Sequence, residues 1–287
     1  MAIRTLRDVY AAFEEGRWHT QYIYKTASVA YTAQWAPAHF QAGKPLGNPL
    51  LGDPLTFTPC ILDRNNAIWF PDIPEGQERY LASVTLRHRQ SGFNSYPSIV
   101  IYDLLGYYSQ IDGDNDEVQE FDNTESLPRY TSGEGVQLVM INHLSPAAAH
   151  GLAIINYTNS DGIDQQVTVN VPMNGLNLVC SGVRTGAAAE TGPIGIRLGP
   201  GARGVRKVNW IKFTTLPSGL FAICLIKVLA TLVAGDNNVT VEREFYSKAG
   251  CYMPRIYDGA FLTWMSRIGG STGRTVTWYG DFTFIWG

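Results

Sequence analysis

Two stretches of this chain read as copies of one another, and that self-similarity constrains the fold more than any motif does. Ser98-Ile99-Val100-Ile101-Tyr102-Asp103-Leu104-Leu105 lies over Ala222-Ile223-Cys224-Leu225-Ile226-Lys227-Val228-Leu229, 124 positions further on. Glu120-Phe121 meets Glu244-Phe245 at the same spacing. Leu127-Pro128-Arg129 meets Met253-Pro254-Arg255 at 126 positions, as Gly133 meets Gly259. Asp114-Asn115 has a turn-like counterpart in Asp236-Asn237, and Thr58-Pro59 aligns with Val171-Pro172 if the second copy carries a longer insertion. The anchors keep their order, which points to tandem duplication.

Each copy is written in strands. Tyr80, Ala82, Val84 and Leu86 alternate with polar neighbours, as do Val167, Val169 and Val171, the two-residue period of a half-buried strand. Turn signals punctuate these runs at Ser91-Gly92, Asp112-Gly113, Asn159-Ser160-Asp161-Gly162, Gly235-Asp236-Asn237 and Gly269-Gly270. The nearly continuous apolar runs at 99–105 and 223–229 predict central strands of each core. The C-terminal Thr275 to Trp286 stretch predicts an aromatic strand pair whose side chains must be covered. The expected fold is all-β: two tandem β-sandwich, jelly-roll-like domains at 54–165 and 166–287, preceded by a helix and an extended arm at 1–53.

The arm opens with a helix signal. Thr5 can accept from the backbone at residue 8 while Asp8 bonds back. Leu6, Val9, Tyr10 and Phe13 then recur as one apolar stripe, and Gly16 supplies the stop. So short a helix is marginal alone, so its stripe needs a partner surface. Residues 18–40 are rich in Trp, Tyr and Ala with poor alternation. The stretch 43–54 then strings prolines between glycines, which disfavours both helix and ladder. The segment reads as an aromatic arm on a linker, with Leu6, Val9, Tyr10, Phe13 and Trp18 as candidate contacts to a neighbour. The alternative is an ordinary first strand followed by a long loop. Deletion of residues 1–45 separates the two readings.

Composition narrows the function classes. With 45% hydrophobic and 16% charged residues the chain can fill a core. A formal charge of −3 argues against a nucleic-acid groove. The N-terminal residues lack the apolar region of a signal peptide. The longest apolar run, Leu220 to Val233, contains Lys227 and is too short to span a bilayer. Cys60, Cys180, Cys224 and Cys251 are scattered without C-x-x-C spacing. That predicts reduced, structural thiols in a protein made in a cytoplasm.

No chemistry is declared. Asp112-Gly113-Asp114-Asn115-Asp116-Glu117 starts like a calcium loop, but Glu117 stands where glycine is needed and Asn123 where a bidentate glutamate is needed. The five histidines, His19, His39, His88, His143 and His150, show no metal-ligand spacing. The glycine-rich segment 192–204 lacks a phosphate-loop ending and reads as a surface loop presenting Arg197, Arg203, Arg206 and Lys207. No G-x-S-x-G elbow occurs, and no carboxylate pair is marked. Trp69, Trp264, Trp278 and Trp286 are candidates for stacking on sugar, with core packing as the competing reading. No catalytic, cofactor-binding or metal-ligating residue is assigned.

The doubled β-body, the arm at 1–53 and the Gly- and aromatic-rich strands resemble virion structural proteins of tailed bacteriophages, such as head decoration (cement), neck or tail components. The resemblance covers the whole chain in style and carries no diagnostic motif. It implies a non-enzymatic virus-particle subunit, made in the host cytoplasm and located in the virion. It also implies self-association, commonly as a homotrimer, clamping of the major capsid protein, and no cofactor, membrane or specific nucleic-acid partner. A carbohydrate-binding sandwich of a phage tail or receptor-binding component is the alternative. It requires a row of exposed Trp or Tyr and calcium near Asp112 to Asp116. A glycan-active enzyme requires two carboxylates facing across a cleft.

Overall fold

A computed structural model describes residues 3–30, 35–90, 98–143, 150–172, 179–180, 195–233, 239–246, 252–267 and 274–287. The turns expected at Ser91-Gly92, Gly235-Asp236-Asn237 and Gly269-Gly270, the 192–194 part of the glycine-rich loop, and Cys251 lie outside the described residues. One helix, α1 (Leu6–Glu14), precedes β1 (Trp18–Ala30), β2 (Trp35–Pro37), β3 (Ala42–Lys44), β4 (Phe57–Pro59), β5 (Arg79–Gln90) and β6 (Ser98–Asp112). Then come β7 (Gln119–Glu120), β8 (Val136–Asn142), β9 (His150–Asn159), β10 (Asp164–Pro172), β11 (Val179–Cys180) and β12 (Val205–Thr215). The chain closes with β13 (Leu220–Val233), β14 (Thr240–Glu244), β15 (Arg255–Ile256), β16 (Leu262–Arg267) and β17 (Arg274–Trp286). The all-β expectation with one N-terminal helix is borne out.

The strands form a central sheet and two flanking sheets. In the central sheet the order β13-β8-β11-β2-β16-β6 returns to its start through β6–β13 pairing, and β4 adds to β6. The first flanking sheet runs β14-β5-β17-β1-β3, the second β10-β9-β12-β7. Leu81, Val84, Leu86, Trp278, Phe282 and Phe284 of the first pack on Ile99, Ile101, Leu262 and Trp264 of the central sheet. Ala153, Ile155, Val208, Ile211 and Phe213 of the second pack on Tyr108, Leu138, Met140, Ile223 and Leu225. Val100, Tyr102, Leu104, Val139, Ile141, Cys224 and Ile226 fill a third core on the opposite face of the central sheet. The apolar runs at 99–105 and 223–229 are unbroken because these strands are covered on both faces.

The two copies correspond strand by strand. If β1, β2, β5, β6, β7, β8 and β9 are matched to β10, β11, β12, β13, β14, β16 and β17, the order β14-β5-β17-β1 becomes β7-β12-β9-β10, the second flanking sheet. The registers agree: Asp103 of β6 faces Leu262 of β16, and its counterpart Lys227 of β13 faces Val136 of β8. Gly133 and Gly259 have φ of 74° and 71°, a left-handed turn repeated after 126 positions. Thr58-Pro59 and Val171-Pro172 do not correspond. The former lies in β4 against β6, the latter ends β10 against β9, and the longer insertion is in the first copy.

The copies are interleaved. β5 pairs with β17 and β9 with β12, so each flanking sheet draws strands from both sides of residue 165, and the first also takes β1 and β3. In the central sheet β6 pairs with β13 along their length, and Asp103 faces Lys227, its own counterpart. Two copies meeting head to tail at this register share one sheet, and their remaining strands cover it at opposite ends.

The N-terminal segment belongs to the body. α1 has the expected capping box, with Asp8 N–H donating to Thr5 Oγ1 (3.2 Å) and Thr5 N–H to Asp8 Oδ2 (2.8 Å). The stretch read as an arm is extended and pairs in ladders: β1 runs against β17 from Trp18↔Ile285 to Ala30↔Arg274, and β2 lies inside the central ring. The reading as a first strand and long loop is the one these ladders match. Within the loop, Leu50 is fully buried.

Candidate interaction surface

β1 places its side chains against the usual polarity. Ile23 and Lys25 turn inward, while Trp18, Tyr22 and Tyr24 point away from the core, 46%, 73% and 41% exposed. A strand whose aromatics face solvent and whose lysine faces the core shows no hydrophobic-in alternation, so its sequence reads poorly as a strand. The row extends across the sheet: Tyr24 lies opposite Tyr279 on β17, ring centroids 5.2 Å apart. Tyr279 in turn lies opposite the exposed Arg87 on β5. At one end the Phe13 ring of α1 lies 6.2 Å from that of Trp18. Thr20 and Thr283 hydroxyls meet at 3.0 Å between the aromatic positions. Over six residues of strand the row is roughly 20 Å long.

Asp281 faces Tyr22 in the same surface. Burial among the neighbouring side chains pushes its carboxyl pKa up, against the opposing hydrogen bond from Thr85. Charges border the row: Arg87 and Arg89 lie opposite Tyr279 and Thr277, and Asp281 and Glu242 flank Thr85 on either side. Trp, Tyr and Arg are the side chains enriched where proteins bind partners.

The second flanking sheet has the same strand order. Besides the apolar Leu152, Ile154 and Trp210, its outward positions on β10 and its neighbours include Asp164, Gln166, Thr168, Asn170, Asn156 and Asn209. They are tied by hydrogen bonds such as Thr158 Oγ1–H to Asp164 Oδ1 (2.6 Å) and Asn209 Nδ2–H to Asn156 Oδ1 (2.7 Å). The outer face of the second sheet is thus mixed in polarity, while the first carries the aromatic row.

The five residues expected to contact a neighbour separate. Val9 is fully buried beside Ala12 and Ile3, and Phe13 packs on the same core. Leu6 and Tyr10 remain exposed, and Trp18 begins the aromatic row. The stripe thus closes on its own body through two members and leaves two outside. Tyr22, Tyr24 and Tyr279 were missed because periodicity reports polarity along a strand, not which face meets water.

The other candidates fall into structural roles. Trp264 and Trp278 are core residues, while Trp69 is half-buried with Arg64 4.8 Å from its ring centroid. In the acidic loop, Asp112 accepts from Asp114 N–H (2.9 Å), Asn115 from Glu117 N–H (2.9 Å) and Asp114 from Ser218 Oγ–H (2.6 Å). These groups cap turns, and among the described residues no cluster of three or more His, Cys, Asp or Glu can hold a metal. Arg203 pairs with Asp161 (2.9 Å) and Glu134 (3.5 Å), and Arg206 donates to the carbonyls of Ser132 and Ser160. Cys60 and Cys224 are free and buried, and burial pushes both thiols up.

Two ionic side chains lie buried in the body. Asp103 takes two bonds from Arg129, Nε to Oδ2 at 2.8 Å and Nη2 to Oδ1 at 2.7 Å, and a third from Phe261 N–H at 2.9 Å. Burial raises its carboxyl pKa, and Arg129 opposes the shift. Lys25, wholly inside, donates to the carbonyls of Gln41 (3.0 Å) and Leu46 (3.4 Å). Burial pulls its ammonium down to about 8. Close by, His39 Nδ1 meets Tyr102 OH at 3.1 Å, and burial first, then Lys25 and His143, hold His39 down to about 3.

No family model matches the chain, and no curated protein matches it. Among solved structures it aligns with the VP2 subviral particle of infectious bursal disease virus at 12% identity and TM-score 0.20, over 93% of this chain and 80% of that one. T=1 particles derived from the same virus align at 12% identity and TM-score 0.20, over 93% and 77%. The T13 particle of that virus aligns with the same four values. A TM-score of 0.20 is too low to establish a shared fold.

Proposed function

We propose that this chain is a non-enzymatic structural subunit of a virus particle that associates with copies of itself, in the manner of a capsid decoration protein clamping neighbouring capsid subunits. The observation that carries the self-association is the aromatic row on the first flanking sheet. Exposed contiguous aromatics on a folded body mark an interaction site, and tyrosine and tryptophan contribute large contact area at little entropic cost. The non-enzymatic reading is supported by Asp103 and the acidic-loop residues, whose polar atoms are engaged in structural hydrogen bonds. The virion location, the decoration role, the capsid partner and the trimeric state rest on the resemblance in sequence style.

The test compares the wild-type chain with Tyr22→Glu and Trp18→Ala by light-scattering mass across a concentration series, together with imaging of particles from the host. Loss of association in both variants with unchanged circular dichroism supports the reading. A wild-type monomer that copurifies with no particle overturns it. The same aromatic row also fits the sugar-binding alternative, since ring faces stack on sugar C–H surfaces. Binding of oligosaccharide lost in Tyr22→Glu, by a chain that stays monomeric, favours that reading instead.

A further inference from the structure

The duplication sets one arginine in two environments. Glu120 pairs with Trp210 and its counterpart Glu244 with Ser83, and counting back four residues along β12 and β5 brings Arg206 over Arg79. Each guanidinium reaches the residue that precedes a duplicated turn glycine. Arg79 Nη1 donates to Asp258 Oδ1 at 3.1 Å, and Arg206 Nε donates to the Ser132 carbonyl at 3.1 Å. Arg79 is buried, lies 4.3 Å from the Phe70 ring centroid, and has its charge met by Asp258. At Arg206 the place of that aspartate is taken by Ser132, and the side chain is exposed. A second bond, from Nη2 to the Ser160 carbonyl at 2.7 Å, completes its anchorage. Both acceptors are neutral, and among the described residues no carboxylate forms an ion pair with Arg206 or Lys207. Arg206 is thus a cation fixed in place with its charge unmatched.

It lines a cavity of about 340 Å3 where β12, the turn at Gly162 and residues 123–131 meet. That is the small end of the roughly 300–1,000 Å3 typical of ligand sites. Phe57, Tyr108 and Leu127, all buried, form its base, and Glu125, Ser126, Thr131 and Lys207 join Arg206 at its exposed rim. A Cβ on Gly162 would stand 3.7 Å from Arg206 Nη1, the guanidinium nitrogen that neither carbonyl engages. Two cations and one carboxylate leave the rim one positive charge in excess.

We propose that this cavity binds a monoanionic sugar, a pyranose carrying one carboxylate. The carboxylate meets Arg206 and Lys207 in charge-assisted hydrogen bonds. The sugar hydroxyls meet those of Ser126 and Thr131, which both donate and accept. Its C–H face lies toward Phe57 and Tyr108. A single excess charge matches one carboxylate and disfavours a polyanion, and an apolar base offers nothing to a bare inorganic ion. The cavity is built on the second flanking sheet, away from the aromatic row, and the proposal does not depend on self-association.

Calorimetric titration of the whole chain at low salt tests it, with glucuronate as the probe, glucose as its neutral analogue and inorganic phosphate as the ion alone. Glucuronate is expected to bind at least about tenfold more tightly than either. Lys207→Glu turns the excess charge from positive to negative and is expected to weaken glucuronate at least about tenfold. Glu125→Gln removes the opposing carboxylate and is expected to tighten it about two- to threefold. Both side chains are exposed, so circular dichroism is expected to be unchanged in each variant. Glucuronate that binds no better than glucose, or equally well to Lys207→Glu, overturns the proposal. Phosphate that binds as tightly as glucuronate makes the cavity an ion site and overturns the sugar. Binding lost in Tyr22→Glu and kept in Lys207→Glu belongs to the aromatic row and overturns the cavity. A wild-type chain that binds none of the probes overturns the proposal whatever its association state.

Discussion

Lys25 gives the sharpest test of the described packing. Its ammonium lies inside the body, its bonds are to two backbone carbonyls, and burial lowers its pKa from 10.5 to about 8. In the unfolded chain the amine holds its proton up to the ordinary value. Between about 8 and 10.5 the unfolded state therefore binds more protons than the folded one, and stability rises with pH through that window. Below 8 both states are protonated and the full cost of the buried charge is present. At 1.36 kcal/mol per pKa unit, the cost is roughly 3 kcal/mol. Lys25→Met keeps the length of the stem and removes the titration. The assay is urea unfolding of both proteins at pH 7.5, 8.5, 9.5 and 10.5, because ionisation of the tyrosines is common to both and cancels in the difference. Wild-type stability relative to Lys25→Met is expected to climb by roughly 3 kcal/mol across the series. A difference that stays flat refutes the burial of the ammonium, and with it the inward orientation of β1.

Deletion of residues 1–45 is expected to leave insoluble or unfolded protein, since it removes β1, β2 and β3 from two sheets. Deletion of 1–14 alone takes away the burial of Val9, Ala12 and Ile3 and is expected to cost about 2–5 kcal/mol in urea titration. The duplicated turn offers a matched pair. Gly133 and Gly259 share a left-handed φ, yet a Cβ on Gly133 meets the Val205 backbone at 2.6 Å and one on Gly259 meets nothing nearer than 3.5 Å. Gly259→Ala is expected to cost about 1 kcal/mol from backbone strain alone, and Gly133→Ala distinctly more. Equal melting temperatures for the two variants count against the close approach of the 130–135 turn to β12.

Legibility followed the range of the interactions. The α1 cap was readable because Thr5 and Asp8 are three residues apart and satisfy one another locally. The duplication was readable because equivalent residues keep similar chemistry: Phe121 and Phe245 are both buried beside a short strand, and Leu127 and Met253 both precede a Pro-Arg pair. The aromatic row was not readable. Trp18, Tyr22 and Tyr24 have the composition of core residues, and the Gly- and Pro-rich stretch after them resembles a linker whether or not Leu50 is folded under it.

What the amino-acid order determined unaided is the local content: strands from two-residue periodicity, one capped helix, and a unit used twice. All of these depend on neighbours along the chain or on likeness between distant segments. Which strand lies beside which was decided only in three dimensions. The exchange of β5 and β12 between copies accompanies the pairing of Asp103 with Lys227, and the β1 aromatics face away from the core while Ile23 and Lys25 face into it. Partner choice in a sheet depends on hydrogen bonds any backbone can make, so it is selected by how all the faces are buried together, and no single segment carries that information.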